Sequence, residues 1–457
     1  LAADLCRMKG RISIVGSTAM NLERRLFYDK ELQLRMSMSY GPGRYDRRYE
    51  EVGLDYPISY VRWTENRNLQ AFLALVETNS IDPARLDLQT VDFADAETAY
   101  EELASGVRRS LAIVFRYGEN ADASRSLQLH RTAPRPAVDE LGVAFVGAGN
   151  YAKGILLPAV EKVSGVRPIE IVTATGPSAR RTAEKFGYAS CSTDPRSAFD
   201  NDDVGLVFIA TQNDSHSDLA QRALLAGKAV WLEKPAGISI DQVDELMAVA
   251  EQTGGFLSIG YNRRFSPHVR AVRKAFADRR GPLSIHYVVA CGSTPGGTWH
   301  TDPAVGGGRT IEEVCHFVDT CVYLVGSPPT TVYARSLSRD PESDDSVVTL
   351  LGYSDGSTAT IEYLSQASTD LPKERFEVSC GGVTAQCDNY RSTVITGRKT
   401  LKTLNQDKGQ STAVAEVIAA VRSGGPSPFG LEELHGVSRA TFAITESALS
   451  GREIKLG

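Results

Sequence analysis

Residues 141–152 read Leu-Gly-Val-Ala-Phe-Val-Gly-Ala-Gly-Asn-Tyr-Ala, and this segment restricts the fold more than any other in the chain. An apolar run breaks at closely spaced glycines and then turns helical, which is the strand–turn–helix context of a dinucleotide-binding fingerprint. In that reading Gly147 permits the tight turn, Gly149 lets a pyrophosphate approach the backbone, and Ala152 is small enough for close helix–strand packing. Asn150 and Tyr151 complete the turn and are placed at the cofactor with them. A second signal, Glu233-Lys234-Pro235, stands at the end of a later apolar strand.

Around these signals the pattern alternates. Gly142–Val146, Pro168–Ala174, Gly205–Ala210, Ala229–Glu233 and Gly255–Gly260 read as strands. Lys153–Val163, Ala179–Phe186, Ser215–Leu225 and Ile240–Gln252 read as the helices between them. Such alternation predicts an α/β domain over 141–261, a doubly wound parallel Rossmann sheet with helices on both faces. After Tyr261 the strands lie closer together and are joined by short turns such as Tyr353-Ser354-Asp355-Gly356-Ser357. This predicts an α+β domain over 262–457 with a largely antiparallel sheet covered by helices on one face. Residues 118–140 are polar and irregular, with Pro134 and Pro136, and read as a linker. They set off a front segment, 1–117, read as a partial α/β module.

The bulk properties remove several functions. The net charge of −6 disfavours a nucleic-acid partner. No apolar stretch is long enough to span a membrane. The seven cysteines have no zinc-type spacing and read as reduced thiols of a cytoplasmic protein, so no metal is expected. No signal peptide is visible, although the chain opens on Leu1 rather than Met.

The ordered motifs resemble the glucose-fructose oxidoreductase/inositol dehydrogenase (Gfo/Idh/MocA) family over roughly Gly142 to Leu456. The resemblance rests on Gly147-Ala148-Gly149, on Ala210-Thr211 with Asn213 and His216, and on Ala226-Gly227-Lys228 leading into Glu233-Lys234-Pro235. It continues through Gly260-Tyr261-Asn262-Arg263-Arg264-Phe265, Gly306-Gly307-Gly308 and His316-Phe317-Val318-Asp319. The front segment is similar to something else. Gly10–Gly16, Lys30-Glu31-Leu32, Tyr40–Tyr45, Asp55-Tyr56-Pro57 and Arg62–Glu65 look like the C-terminal part of a zinc-type medium-chain dehydrogenase, as in the bi-domain oxidoreductases. No fingerprint or zinc-ligand cluster stands in 1–117, so this module is expected to be catalytically empty. As a partial fold it is expected to expose apolar surface.

Residue chemistry and resemblance together nominate the site. An ammonium at Lys234, where an α/β sheet presents its strand ends, polarises and orients a hydroxyl or carbonyl. The competing reading is a solvated lysine in a turn, and the resemblance assigns the catalytic role. His316 lies on the amphipathic stretch Ile311–Val325. Histidine gives or takes a proton near neutral pH, yet is ordinarily a hydrogen-bonded core residue; the resemblance makes it the acid/base on the substrate hydroxyl. The family usually has an aspartate four residues earlier, where this chain has Glu312, with Glu313 beside it. Both are within one helical turn of His316, and the choice between them stays open.

The resemblance places Thr211, Asn213, His216, Glu233 and Lys234 at the cofactor, and Thr175 joins them at the end of the second strand. That strand lacks the acidic residue that ordinarily binds the ribose hydroxyls, and Arg180 and Arg181 follow, either as phosphate ligands or as a solvated helix face. The cofactor is therefore NAD or NADP. Tyr261, Asn262 and Arg263 follow the last parallel strand, where substrate and nicotinamide should meet, and Trp299 and His300 are candidates to line a sugar pocket. The implied activity is hydride transfer between the nicotinamide and a hydroxyl or keto carbon of a sugar, sugar nucleotide or cyclitol, in a homo-oligomer. The alternatives are a glycoside hydrolase that uses bound NAD in a redox elimination cycle, and a nucleotide-binding protein without turnover.

Overall fold

The computed structural model describes residues 1–16, 19–117, 124–129, 140–292, 304–337 and 346–456. The chain divides into two compact units, Leu1–Ala123 and Ser124–Gly457. No described helix is long and apolar enough to cross a membrane.

The front unit holds two separate pairs of parallel strands, β1 (Arg11–Val15) with β2 (Gln33–Ser37) and β3 (Leu88–Asp92) with β4 (Ala112–Arg116). Among its described apolar residues only Ala3 and Ala99 are buried. The helix Glu65–Glu77 buries none of its residues and leaves Leu73 64% exposed. Two-stranded sheets without a covered face have little independent stability, so the exposed apolar surface expected here is present.

The second unit begins with β5 (Ser126–Gln128), a short strand inside the segment read as linker, which pairs antiparallel with β8 (Ser190–Ser192). The rest of the expected linker that is described is irregular. The sheet has the order β11-β10-β9-β6-β7-β8-β5, with β6 Leu141–Val146, β7 Val166–Val172, β9 Leu206–Ile209, β10 Ala229–Leu232 and β11 Leu257–Ile259. All its pairings except β5–β8 are parallel. Leu206–Ile209 is buried at every position, the mark of a strand covered on both faces.

The turn after β6 explains its glycines. Gly147 has φ +93°, and a Cβ there would lie 2.3 Å from the Ala210 carbonyl oxygen. Gly149 has open space where its Cβ would be. The following helix is not regular as expected. It opens with a wide π-helical turn, Ala152–Leu156, and continues as Leu157–Glu161 with Pro158 in its first turn. A proline there removes one backbone donor from the ladder, a common origin of such irregularity.

The second sheet has nine strands in the order β19-β18-β17-β16-β12-β15-β14-β13-β20. It comprises β12 Ser284–Ala290, β13 Thr331–Ser336, β14 Val347–Gly352, β15 Thr358–Leu364, β16 Glu374–Cys380, β17 Val383–Asp388, β18 Ser392–Ile395, β19 Leu401–Lys402 and β20 Ile454–Lys455. Only β12–β15 is parallel. Along β15 the burial alternates, giving one face to the core. The helices Cys315–Val325 and Leu431–Ser450 lie in the same continuous core, to which Phe317, Val318, Leu434 and Val437 contribute.

Candidate active site

The parallel strands end at one cavity of about 650 Å³. Its floor is the turn after β6, where Gly149, Asn150, Tyr151 and Ala152 face it. Ala210 and Thr211 follow β9, and Glu233 and Lys234 follow β10. Short loops at the carboxyl ends of parallel strands are where such sheets hold ligands. The backbone supports a dinucleotide here: Gly147 makes a turn that no side chain would permit, and Gly149 leaves the surface above it open.

Two polar residues stiffen this half. His216 is buried, with Nδ1 2.7 Å from the Pro235 carbonyl and Nε2 3.3 Å from the Thr211 carbonyl. Burial lowers its pKa to about 4, so the ring is neutral at pH 7 and braces the segment that carries Lys234. Asn213 Nδ2 donates to the Gly306 carbonyl at 2.9 Å, which ties the nucleotide half to the glycine run. Trp231 Nε1 donates to Glu233 at 3.0 Å, and burial raises the Glu233 carboxyl to about 7. Gly260 leaves room for that carboxyl, since a Cβ there would lie 2.6 Å from it.

The α+β half supplies the other wall. Lys234 Nζ donates to the Glu312 carbonyl at 3.2 Å and lies 3.8 Å from its carboxylate. Glu313 lies 3.4 Å from Lys373 Nζ and 3.8 Å from the Arg309 guanidinium. Burial opposes its ionisation, but Lys373, Lys234 and Arg309 outweigh burial and hold its pKa below the usual carboxylate value. A π-helical turn at Thr310–Val314 precedes the regular helix, so the one-turn spacing assumed for a plain α-helix does not apply. Neither carboxylate is hydrogen-bonded to His316 among the described residues. Among the described residues His316 Nδ1 has no partner, and the ring stands edge-on to Tyr261 with centroids 6.2 Å apart. Burial, and then the charges of Arg263, Lys234, Lys408 and Lys373, push its pKa well below the ordinary histidine value.

Of the expected substrate residues, Asn262 and Arg263 line the cavity. Asn262 Nδ2 donates to the Lys408 carbonyl at 2.8 Å, and Arg263 clasps the buried Glu374 with two bonds of 2.8 and 2.9 Å. Tyr261 is a correction. It is 1% exposed, packs against Phe429 as well as His316, and does not reach the cavity, because the second residue after β11 still belongs to the core. Thr175 stands exposed at the start of the helix Gly176–Phe186 and does not line the cavity either. Arg180 pairs with Glu184 at 2.9 Å on an exposed helix face. Trp299 and His300 lie outside the described residues. The sequence reading missed Lys373, Lys408 and Gln410, which also line the cavity. No local motif marks them, because tertiary folding brings them in from segments far along the chain: Lys373 just before β16, and Lys408 and Gln410 at the start of the helix Gln410–Arg422.

The model of the Gfo/Idh/MocA oxidoreductase family with an NAD-binding Rossmann fold matches residues 141–261, and that of the family's C-terminal domain matches 269–384. Inositol 2-dehydrogenase of Rhizobium meliloti is 30% identical over 250 residues, covering 53% of this chain and 74% of that protein. D-glucoside 3-dehydrogenase of Escherichia coli is 26% identical over 206 residues, 44% of this chain and 58% of that protein. Among solved structures, an aldose-aldose oxidoreductase from Caulobacter crescentus superimposes with TM-score 0.61 at 24% identity, over 69% of this chain and 100% of its own. A levoglucosan dehydrogenase in complex with NADH and levoglucosan superimposes with TM-score 0.63 at 20% identity, over 69% of this chain and 99% of its own. The fingerprint on its parallel sheet, the following mostly antiparallel sheet and these matches together show that the chain belongs to the Gfo/Idh/MocA family of oxidoreductases.

Proposed function

We propose that the cavity oxidises or reduces a hydroxyl or keto carbon of a sugar, sugar nucleotide or cyclitol with NAD or NADP. One observation carries the reading: the turn Gly149–Ala152, Lys234 and His316 all face one cavity of about 650 Å³. Gly149, Asn150, Tyr151, Ala152 and Thr211 hold the dinucleotide, with Asn213, His216 and Glu233 behind and beside it. When bound, the nicotinamide supplies the hydride-accepting or hydride-donating carbon.

The chain's own residues do the rest. Lys234 donates a hydrogen bond to the substrate oxygen and stabilises negative charge on it. His316 is neutral at pH 7 and takes the hydroxyl proton in the oxidative direction. Its depressed pKa makes the protonated ring a strong acid for the reverse step. Glu312 fixes the Lys234 ammonium, and Glu313 anchors Lys373. Asn262 and Arg263 shape the substrate side. We read the front unit, on its dehydrogenase-like motifs, as a partial medium-chain dehydrogenase-type module that takes no part in this chemistry.

The test is Lys234→Ala. Dinucleotide affinity by calorimetry should stay within a few-fold of wild type while turnover on an active sugar or cyclitol collapses. Retained turnover would return Lys234 to a solvated turn residue.

A further inference from the structure

Two of the cations on the cavity wall share one carboxylate. Glu374 has no exposure and receives Arg263 at 2.8 and 2.9 Å, Lys408 Nζ at 2.7 Å and the Tyr287 hydroxyl at 2.9 Å. Arg263 and Lys408 face the cavity, whereas Glu374 does not. One negative charge is thus held behind two positive ones. Lys373, the residue just before Glu374, faces the same cavity with its side chain 43% exposed. The field reaches the reacting end: after burial, the largest influences on His316 are the cations Arg263, Lys234, Lys408 and Lys373. Burial lowers the Lys408 pKa; Glu374 partly opposes this, and Arg263 and Lys373 reinforce it.

We propose that the substrate carries an anionic group, a carboxylate or a phosphate ester, which seats against the Lys373 and Lys408 ammonium groups while its reacting hydroxyl faces Lys234 and His316. The inference rests on the oxidoreductase reading of the cavity. Glu374 already serves both Arg263 and Lys408, and Glu313 serves both Lys373 and Arg309, so each carboxylate is shared between two cations and a neutral sugar would leave that excess unmatched. An anion cancels the surplus and gains charge-assisted hydrogen bonds, about twice as strong as neutral ones. Lysine is a compact point charge and does not demand the planar, two-pronged partner that arginine prefers, so both anion types fit this wall.

The experiment uses the full chain saturated with NAD⁺ or NADP⁺ in phosphate-free buffer. Calorimetry compares D-glucuronate, D-galacturonate and D-glucose 6-phosphate with D-glucose and D-galactose. At least one anion should bind about ten-fold or more tighter than its neutral parent, the scale of a charge-assisted bond. The uronates and the phosphate ester separate the two sources of charge. Lys373→Met and Lys408→Met should each remove most of that preference without changing dinucleotide affinity, and Lys408→Arg should keep it. Neutral sugars binding as tightly as the anions, no binding by any anion, or a preference that survives both methionine variants would overturn the proposal. Failure to bind either dinucleotide overturns the oxidoreductase reading instead, and the anion preference is then read on the protein alone.

Discussion

His316→Ala separates a catalytic histidine from a packed one. Among the described residues His316 Nδ1 has no hydrogen-bond partner, and none depends on the ring for one. Removing the ring therefore breaks no described hydrogen bond, and what it gives up is packing, the edge contact with Tyr261 included. If His316 accepts the substrate proton, turnover should fall about a hundred- to ten-thousand-fold, the range of general acid–base catalysis. That corresponds to about 2.7 to 5.5 kcal/mol of activation free energy. The pH profile adds a second readout. Burial and four neighbouring cations depress the His316 pKa, so the ring stays unprotonated as pH falls through the ordinary histidine range. The oxidation rate of wild type should therefore show no His316 limb near pH 6.5, the free imidazole value, and should decline only at clearly lower pH. The assay is initial-rate reduced-nicotinamide absorbance from pH 5 to 9, with circular dichroism to verify the fold. Lys234→Ala combined with His316→Ala should lose less than the product of the single losses, because groups acting on one oxygen are not additive. Near-normal turnover in a folded His316→Ala protein would refute the reasoning.

Further perturbations test the surrounding structure. Gly147→Ala should destabilise the chain by about 1–3 kcal/mol from its left-handed backbone alone, before the contact with the Ala210 carbonyl is counted; wild-type denaturant stability would contradict the assigned turn. Glu374→Gln leaves Arg263 and Lys408 facing a neutral amide and should cost about 3–5 kcal/mol by chemical denaturation, whereas a loss below about 1 kcal/mol would show the cluster to be structurally idle. Since Arg263 and Lys408 outweigh burial and depress the Glu374 pKa, its stabilising contribution is complete above the ordinary glutamate value and should be lost as pH falls below it. Deleting residues 1–123 should leave dinucleotide affinity unchanged and improve solubility by removing exposed apolar surface; a folded but non-binding product would disprove the independence of the second unit.

The parallel sheet was legible because its strands, such as Leu206–Ile209, are continuous apolar runs bounded by glycines and polar turns. Ser126–Gln128 and Ser190–Ser192 were not, because three-residue polar strands carry no hydrophobic period. The helix at Ala152–Glu161 was legible, but its π-helical turn was not, since the apolar pattern is the same in both geometries. At the site, Gly149, Lys234 and His316 could be found because each sits in a local motif. Lys373 and Lys408 reach the cavity only through the packing of β16 and of the turn before the helix Gln410–Arg422 against Asn262 and Arg263, a contact that crosses more than a hundred residues. Tyr261 misled for the opposite reason: the motif is contiguous, but the chain turns only after it, so Tyr261 stays in the core while Asn262 emerges.

The central claim is that a nicotinamide dinucleotide and a carbohydrate-like substrate meet in the cavity above Gly149. Reduced-nicotinamide absorbance over a panel of sugars, sugar acids, sugar phosphates, sugar nucleotides and cyclitols, each with NAD⁺ and NADP⁺, tests it most directly. The account predicts sustained turnover with at least one hydroxyl substrate, abolished together with dinucleotide binding in Gly149→Val, whose branched side chain fills the open space over that backbone. Tight dinucleotide binding with no turnover across the panel, or turnover undiminished in Gly149→Val, would contradict it.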